Sequence, residues 1–132
     1  MTKQTGAPDL AELFAALAGP TQLRLLNLMN GREVCVCYFV EILKQPQPKI
    51  SRHLAYMRRM SIVSARREGK WMHYSIMKPK DGTAAALLDA ALAALSERKE
   101  MKADIAVLSR ACCAPDRFQL AGAPIPCEAL LT

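Results

Sequence analysis

Residues 47–76, QPKISRHLAYMRRMSIVSARREGKWMHYSI, determine the fold of this chain. From residue 49 to about residue 60, apolar side chains recur at every third or fourth position, which predicts an amphipathic helix. Two β-prone runs, residues 62–67 and 70–76, then stand on either side of Gly69. Such runs around a glycine turn predict a β-hairpin.

The residues just before this stretch supply the other half of a DNA-binding unit. Residues 38–43 fit a short helix, and the two prolines of residues 45–48 favour a turn after it. Two short helices joined by a tight turn, the second of them basic on its outer face, form a helix-turn-helix. With the hairpin that follows, the pattern predicts a winged helix-turn-helix, which is a mainly α fold with a small β-hairpin.

Helical segments on both sides of this unit complete the domain. Near the N-terminus, helices are expected from Asp9 to about Leu17 and from Pro20 to Asn30. A long Ala- and Leu-rich helix is expected from about residue 83 to residue 108, and it is more apolar than one small domain can cover. We therefore predict a homodimer that forms through the N- and C-terminal helices.

The length of 132 residues is typical of a single domain. We expect a flexible arm over residues 1–8, a winged helix-turn-helix domain for DNA binding and dimerisation over residues 9–110, and a cysteine-containing tail over residues 111–132. No apolar run is long enough to cross a membrane, and the first residues lack a secretory signal. A cytoplasmic protein with no membrane partner is therefore expected.

Positive charge is concentrated in the predicted DNA-binding unit. Residues 44–80 contain ten Lys and Arg residues and one acid, a net charge of +9, whereas the rest of the chain carries −3. A basic segment in a slightly acidic protein is typical of a polyanion binder, and the helix-turn-helix makes double-stranded DNA the expected polyanion. Contacts are expected from the second helix, which enters the major groove, and from the hairpin, or wing. The candidate DNA-contacting residues are Gln47, Lys49, Ser51, Arg52, His53, Tyr56, Arg66, Arg67 and Lys70.

The sequence lacks the motifs of common enzyme classes. It contains no Gly-rich phosphate loop, HExxH or GxSxG motif, and both of its histidines lie in the basic segment. A nucleophilic cysteine would need a base partner, which the pattern does not place near the cysteine pairs in sequence. We therefore expect a protein that is not an enzyme and has no catalytic cofactor.

Two cysteines directly precede the helix-turn-helix, in the run EVCVC of residues 33–37. Together with QPKISRHL (residues 47–54) and REGKWMHY (residues 67–74), this run is similar to the ArsR family of metalloregulatory repressors, and most similar to the arsenical-resistance repressors. The similarity extends from about residue 10 to residue 76. It implies a homodimeric winged-helix repressor that leaves its operator when As(III) or Sb(III) binds cysteine thiolates, the ligands that soft ions prefer.

The resemblance implies that Cys35 and Cys37 are inducer ligands. The best-known arsenical repressors carry a third cysteine three residues later, where this chain has Val40. Two sulfurs must come within roughly 3.5 Å of each other to hold one ion. On a regular helix the two side chains would point about 200° apart, and in a strand they would lie about 7 Å apart. We therefore expect ion binding to distort the start of the next helix and so to lower DNA affinity.

A second pair, Cys112 and Cys113, follows the long helix. Adjacent cysteines can hold one ion where the backbone is not helical, and Pro115 favours a helix break there. This pair is a candidate for the third thiolate, in the same or in the other subunit, and two separate sites are the alternative. Cys127 is either a further ligand or a cysteine without a role in binding. A two-thiolate site would suit methylarsenite, which already carries one carbon ligand.

Two other kinds of repressor stay open on the same fold. One responds to Cd(II) or Zn(II), although Zn(II) sites commonly recruit His or carboxylate ligands and a tail rich in these is absent. The other is a thiol redox switch, in which Cys35 and Cys37, or the second pair, oxidise to a disulfide.

Overall fold

The computed structural model describes residues 9–113, where helices surround a small antiparallel sheet. The expected arm over residues 1–8, the chain from residue 114 onward and Cys127 lie outside the described residues. In the described part, no helix is long and apolar enough to span a bilayer. The elements follow in the order α1 (Leu10–Ala16), α2 (Pro20–Met29), β1 (Val34–Cys35), α3 (Val36–Leu43), α4 (Gln47–Arg59), β2 (Val63–Glu68), β3 (Trp71–Ile76), α5 (Gly82–Ser96) and α6 (Lys99–Cys113).

The residues at their ends explain the first two helices. Asp9 caps α1, since its side chain accepts hydrogen bonds from two backbone N–H groups of the first turn. Pro20 is the first residue of α2, where a missing N–H costs nothing. Asn30 ends α2, and Gly31 follows with φ +79°, a conformation that glycine adopts readily. Both helices lie where the sequence predicted them.

The wing is a hairpin of β2 and β3, whose turn contains Gly69 with φ +59°. The two-residue strand β1 pairs with the other edge of β3, so the sheet has three strands in the order β1-β3-β2. The sequence predicted the hairpin and a short β-prone run over residues 33–37, but not the pairing of that run with β3, because spacing along the chain does not supply strand register. Through this pairing, the segment that leads into α3 belongs to the same sheet as the wing.

Helices α3 and α4 pack against each other as the helix-turn-helix. Lys44 follows α3 with φ 57° and ψ 44°, the left-handed conformation that ends many helices. The prediction of a turn over residues 45–48 is wrong at its end, because α4 begins at Gln47. Pro48 lies in the first turn of α4, where proline is tolerated. The buried residues of α4 are Ile50, Leu54 and Met57.

The C-terminal region is two helices rather than the single helix predicted over residues 83–108. The first ends at Ser96, and the second begins three residues later. Contacts with α2 hold the second helix: Arg24 donates two hydrogen bonds, at 2.8 and 2.9 Å, to the carboxylate of Asp104. The prediction of one continuous helix rested on local helix propensity, which carries no information about such distant contacts.

A single apolar core lies between the helices and the sheet. Tyr38 and Phe39 of α3 are fully buried, and the Phe39 ring centre lies 6.5 Å from that of Tyr74 on β3. Burying a large apolar side chain stabilises a fold by about 1.5–3 kcal/mol. Helix α1, in contrast, leaves Leu10 and Phe14 exposed by 50% and 53%. These two side chains form an apolar surface that the single chain does not cover.

Candidate thiol site and nucleic-acid interface

Cys35 and Cys37 lie where strand β1 passes into helix α3. Cys35 is the last residue of β1 and the N-cap of α3, with an extended backbone, and Cys37 is the second residue of the helix. The change of conformation between them brings the two Sγ atoms to 3.1 Å. The expectation that the chain must distort to bring the two sulfurs together is therefore wrong, because they already lie close to each other. It considered a regular helix and a regular strand, but not the junction between them.

The two thiols share a hydrogen bond, which Cys37 donates to Cys35. This bond lowers the pKa of Cys35 to about 6, more than burial raises it, and a positive charge on His73 acts in the same direction. The bond to Cys35 and burial both raise the pKa of Cys37. The pair therefore loses its first proton readily and its second with difficulty, so that one thiolate and one thiol are present near neutral pH.

The two cysteines differ in access to solvent. Cys35 is 1% exposed, whereas Cys37 is half-buried. An ion from solvent therefore reaches Cys37 first, and it reaches Cys35 only when neighbouring side chains move. Val40, three residues after Cys37, places an apolar side chain and no further thiol on the next turn of α3.

Charged side chains lie beside the pair on the wing sheet. His73 is the β3 partner of Cys35 and is 5% exposed, with its Nε2 atom 3.0 Å from Oε1 of Glu68. Arg66 on β2 donates hydrogen bonds of 2.7 and 3.0 Å to the carboxylate of Glu33. The bond from Arg66 lowers the pKa of Glu33.

Three residues of this site were not predicted from the sequence: Glu33, Glu68 and His73. The available signals were an acid two residues before the cysteine pair and a histidine in the hairpin. Strand register decides whether these residues lie beside the cysteine pair, and spacing along the chain does not supply the register.

Cys112 and Cys113 are the last two residues of α6. The prediction of a helix break at this pair is therefore wrong. Successive helical residues lie about 100° apart around the axis, which works against two adjacent cysteines binding the same ion. Helix α6 does pack against α3, the helix that begins at the first pair. Within residues 9–111, no group of three or more His, Cys, Asp or Glu side chains is arranged to hold a metal ion.

Helix α4 presents most of the predicted DNA contacts. Gln47, Lys49 and Arg52 are exposed, and Ser51 and His53 are partly exposed. Burial lowers the pKa of His53, and the charges of Lys49 and Arg52 lower it further. His53 is therefore neutral at pH 7, a state in which its ring can both donate and accept a hydrogen bond.

Tyr56 differs from the other candidates on α4. Its hydroxyl group donates a hydrogen bond of 3.3 Å to the carbonyl oxygen of Glu12 in α1, and the Arg59 guanidinium lies 5.5 Å from its ring centre. Tyr56 thus connects α4 to α1. Arg58 and Arg59 are exposed in the last turn of α4. Both arginines contribute to the positive charge of residues 44–80, but neither was predicted to contact DNA.

Three cations lie on the wing. Arg66, Arg67 and Lys70 are all exposed. Arg67 donates a hydrogen bond of 3.3 Å to the carbonyl oxygen of Gly69, and the Lys70 ammonium lies 5.0 Å from the ring centre of Trp71. Since α4 packs against β2, the cations of the helix and of the wing lie on neighbouring elements. Such an arrangement can contact both a groove and the phosphates beside it.

Comparison with known proteins identifies relatives of this fold. Residues 19–65 match the family described as "Bacterial regulatory protein, arsR family". An HTH-type transcriptional regulator of Methanocaldococcus jannaschii is 46% identical over 69 residues, which are 51% of this chain and 76% of the relative. The arsenical resistance operon repressor of Escherichia coli K12 is 37% identical over 106 residues, which are 80% of this chain and 89% of the repressor.

Solved structures agree with these sequence matches. The AntR antimony-specific transcriptional repressor superposes with a TM-score of 0.52 at 28% identity, over 67% of this chain and 78% of the repressor. The family consists of DNA-binding transcriptional regulators rather than enzymes. The helix-turn-helix, the wing and the extent of these matches together show that the chain belongs to the ArsR family of transcriptional repressors.

Proposed function

We propose that this repressor is a cytoplasmic homodimer that binds double-stranded operator DNA and leaves it when trivalent arsenic or antimony binds Cys35 and Cys37. The 3.1 Å distance between the two Sγ atoms carries the proposal. One ion needs its thiolates within roughly 3.5 Å, so the two sulfurs already lie at the separation that binding requires. Relatives named for arsenical resistance and for antimony support the choice of ion.

The protonation state of the pair favours capture of a soft ion. With a pKa of about 6, Cys35 supplies a thiolate before the ion arrives. The ion then replaces the proton of Cys37, whose pKa is raised by its neighbour. Arsenite reaches the pair as As(OH)₃, so two As–O bonds break as two As–S bonds form. One hydroxyl group leaves as water with the proton of Cys37, the other leaves as hydroxide, and the hydrogen bond between the sulfurs is lost.

A third ligand completes the coordination of a trivalent ion. Since Val40 offers none, we propose that Cys112 or Cys113 provides it, in the same or in the partner subunit. The packing of α6 against α3 supports this choice. For methylarsenite the methyl carbon already fills the third position, so the first pair is sufficient.

Release follows from the place of the pair in the fold. Cys35 is 1% exposed, so an ion bonded to it displaces side chains at the start of α3. Helix α3 packs against α4, and a shift of one changes the position of the other against the DNA groove. The factor by which the ion weakens DNA binding equals the factor by which it binds this displaced arrangement more tightly than the DNA-binding one.

Dimerisation gives the repressor two copies of α4. Leu10 and Phe14 on α1 offer an apolar surface for the partner, and the exposed alanines of α5 are further apolar side chains that a partner can cover. Helix-turn-helix dimers read half-sites about 34–36 Å apart, one turn of DNA. On each half-site, the exposed residues of α4 enter the major groove, while the wing cations hold the phosphates.

The test is a titration of the reduced protein on an operator duplex selected from a random pool. Fluorescence anisotropy follows release by arsenite, antimonite, methylarsenite, Cd(II), Zn(II) and peroxide. Arsenite and antimonite are expected to release the wild type but neither Cys35→Ser nor Cys37→Ser, although both variants bind the ion-free operator normally. Cys127→Ser is the matched control and keeps its response. If arsenite-saturated wild type binds the duplex as tightly as the ion-free protein does, the proposal is wrong.

A thiol redox switch is the second candidate, because the same 3.1 Å contact also suits a disulfide. Peroxide would take two electrons and two protons from Cys35 and Cys37, which become a disulfide, while the peroxide becomes two molecules of water. Release by peroxide without release by arsenite, reversed by a dithiol reductant, supports this candidate over the first.

A further inference from the structure

Cys35, His73 and Arg66 lie in one row across the three strands of the wing sheet. Cys35 on β1 and Arg66 on β2 are both register partners of His73 on the middle strand. Residues directly opposite each other on antiparallel strands project from the same face. The row therefore places the candidate thiol site at one edge of the sheet and a wing arginine at the other.

An ion pair spans the same sheet. Arg66 donates from Nε to Oε2 of Glu33 at 3.0 Å, and from a terminal nitrogen to Oε1 at 2.7 Å. Glu33 precedes β1 and is separated from Cys35 by Val34 alone. A two-bond contact of this kind fixes the relative position of both groups more tightly than one bond does. The segment that carries the thiols is thus tied directly to β2.

Glu68 adds a second connection to this row. Its Oε1 atom lies 3.0 Å from Nε2 of His73 and 3.9 Å from a guanidinium nitrogen of Arg66. The buried His73 therefore contacts the same carboxylate that lies beside Arg66. Two polar connections, one through Glu33 and one through His73 and Glu68, run from the neighbourhood of Cys35 to the wing.

We propose that Glu33 and Arg66 are positioning residues that transmit inducer binding from the Cys35–Cys37 pair to the wing. The inference rests on the proposed function, since the ion must bind at that pair. When the ion displaces Cys35, Glu33 moves with the same short segment and carries Arg66 and β2. The wing then shifts away from its position on the DNA. Helix α4 shifts as well, because the ion also displaces α3, against which α4 packs.

Arg67 provides a matched control on the wing. It neighbours Arg66 and carries the same charge, but successive strand residues project from opposite faces. Its hydrogen bond goes to the carbonyl oxygen of Gly69, within the hairpin itself. Loss of Arg67 therefore removes a wing cation without touching the connection to Glu33.

The experiment compares wild type, Glu33→Gln, Arg66→Gln, the double variant and Arg67→Gln on the operator, with and without arsenite. Glu33→Gln removes the acid that holds Arg66, so its affinity for the ion-free operator is measured first and its arsenite response is expressed relative to that value. Arsenite is expected to weaken operator binding by about tenfold less in this variant than in wild type, because the coupling is reduced. Both arginine variants bind more weakly without arsenite, since each removes a cation. Only Arg66→Gln is expected also to lose the arsenite response, and the double variant should lose no more than Arg66→Gln does.

Two outcomes overturn the inference: a full arsenite response in Glu33→Gln, or an equal loss of response in Arg66→Gln and Arg67→Gln. Arg66→Lys keeps the charge but not the two-bond geometry, so it should lose part of the response while unfolding at the same temperature as wild type. This variant separates a loss of coupling from a loss of folded structure.

A measurement without DNA separates this inference from the proposed function. Hydrogen exchange of the amides of residues 63–76 is recorded before and after arsenite, and with Hg(II) as a second thiol-binding probe. In wild type, the ion is expected to change the exchange rates of the wing amides. In Glu33→Gln, only amides in the first turn of α3 should change their exchange rates. If the ion binds and the wing amides of wild type do not change, the inference is wrong. If they change but arsenite releases no DNA, only the proposed function fails.

Discussion

The thiol of Cys37 donates a hydrogen bond to Sγ of Cys35 across 3.1 Å, at the residue where strand β1 becomes helix α3. This contact gives one sulfur a lowered pKa and the other a raised one, so the pair holds a single shared proton near neutral pH. The reactivity of the two cysteines with small electrophiles should therefore differ.

Alkylation of Cys35 by iodoacetamide, slow because the side chain is 1% exposed, is expected to accelerate through about pH 6 and to level off by neutral pH. The thiolate is the reacting form, so the rate falls below this pKa, where Cys35 is protonated. An ordinary cysteine, with a pKa of about 8.5, still gains rate between pH 7 and pH 9. Peptide mass spectrometry distinguishes Cys35 from the other cysteines.

Cys37→Ala is the control for this profile. Without the donated hydrogen bond, the midpoint for Cys35 should move up towards that of an ordinary cysteine, whereas Cys37→Ser retains a hydroxyl donor and should move it less. A wild-type midpoint near that of an ordinary thiol would contradict the hydrogen bond.

Operator binding should weaken steeply with salt, because each phosphate contact contributes a log–log slope of about −0.9. Arg67→Gln is expected to make the slope shallower by about one such contact and to weaken all sequences alike. Arg98→Gln removes an equally exposed charge outside α4 and the wing, and should leave the slope unchanged. Anisotropy titrations at four or five salt concentrations measure both slopes.

Asp104→Ala is expected to lower the free energy of unfolding by about 1–3 kcal/mol. The Asp104 side chain is 11% exposed and accepts both hydrogen bonds from Arg24, which then lose their partner. Asp89→Ala is the matched control, since Asp89 and its partner Lys78 are both more than half exposed. That variant should change stability by less than about 0.5 kcal/mol, as measured by urea unfolding.

Phe14→Glu is expected to convert the proposed dimer to monomers, because it places a charge on the exposed apolar surface of α1. Operator affinity should then fall at least tenfold, since one copy of α4 reads only half a site. Met77→Glu adds the same charge at an exposed methionine outside α1 and α5, and should remain dimeric. Sedimentation velocity measures both variants, and a dimeric Phe14→Glu would contradict this interface.

Local patterns predicted the helix-turn-helix and the hairpin well. The spacing of Ile50, Leu54 and Met57 and the turn at Gly69 depend on neighbours in sequence, and the structure confirms the winged fold that they predict. The break between α5 and α6 depends instead on distant contacts. Arg24 and Asp104 are 80 residues apart in the chain, and no local period reports their meeting.

The thiol site shows the same division. The sequence identified Cys35 and Cys37 from their motif, but their distance depends on a junction of two conformations and not on either one alone. The row that joins them to Arg66 depends on the register of three strands. Residue types therefore predicted the chemistry of the site, whereas its geometry required the tertiary structure.

Cys35 is a member of two structures at once, since it ends β1 in the wing sheet and caps the helix that begins the helix-turn-helix. Under the proposed mechanism, any molecule bound at this position acts on the wing sheet and on the helix-turn-helix together. Changes at Val36, Cys37 and Val40 would alter which chemical signal is recognised while leaving the response to it intact. A protein engineer seeking a repressor for a new analyte would begin by randomising these neighbours and retaining the remainder of the scaffold.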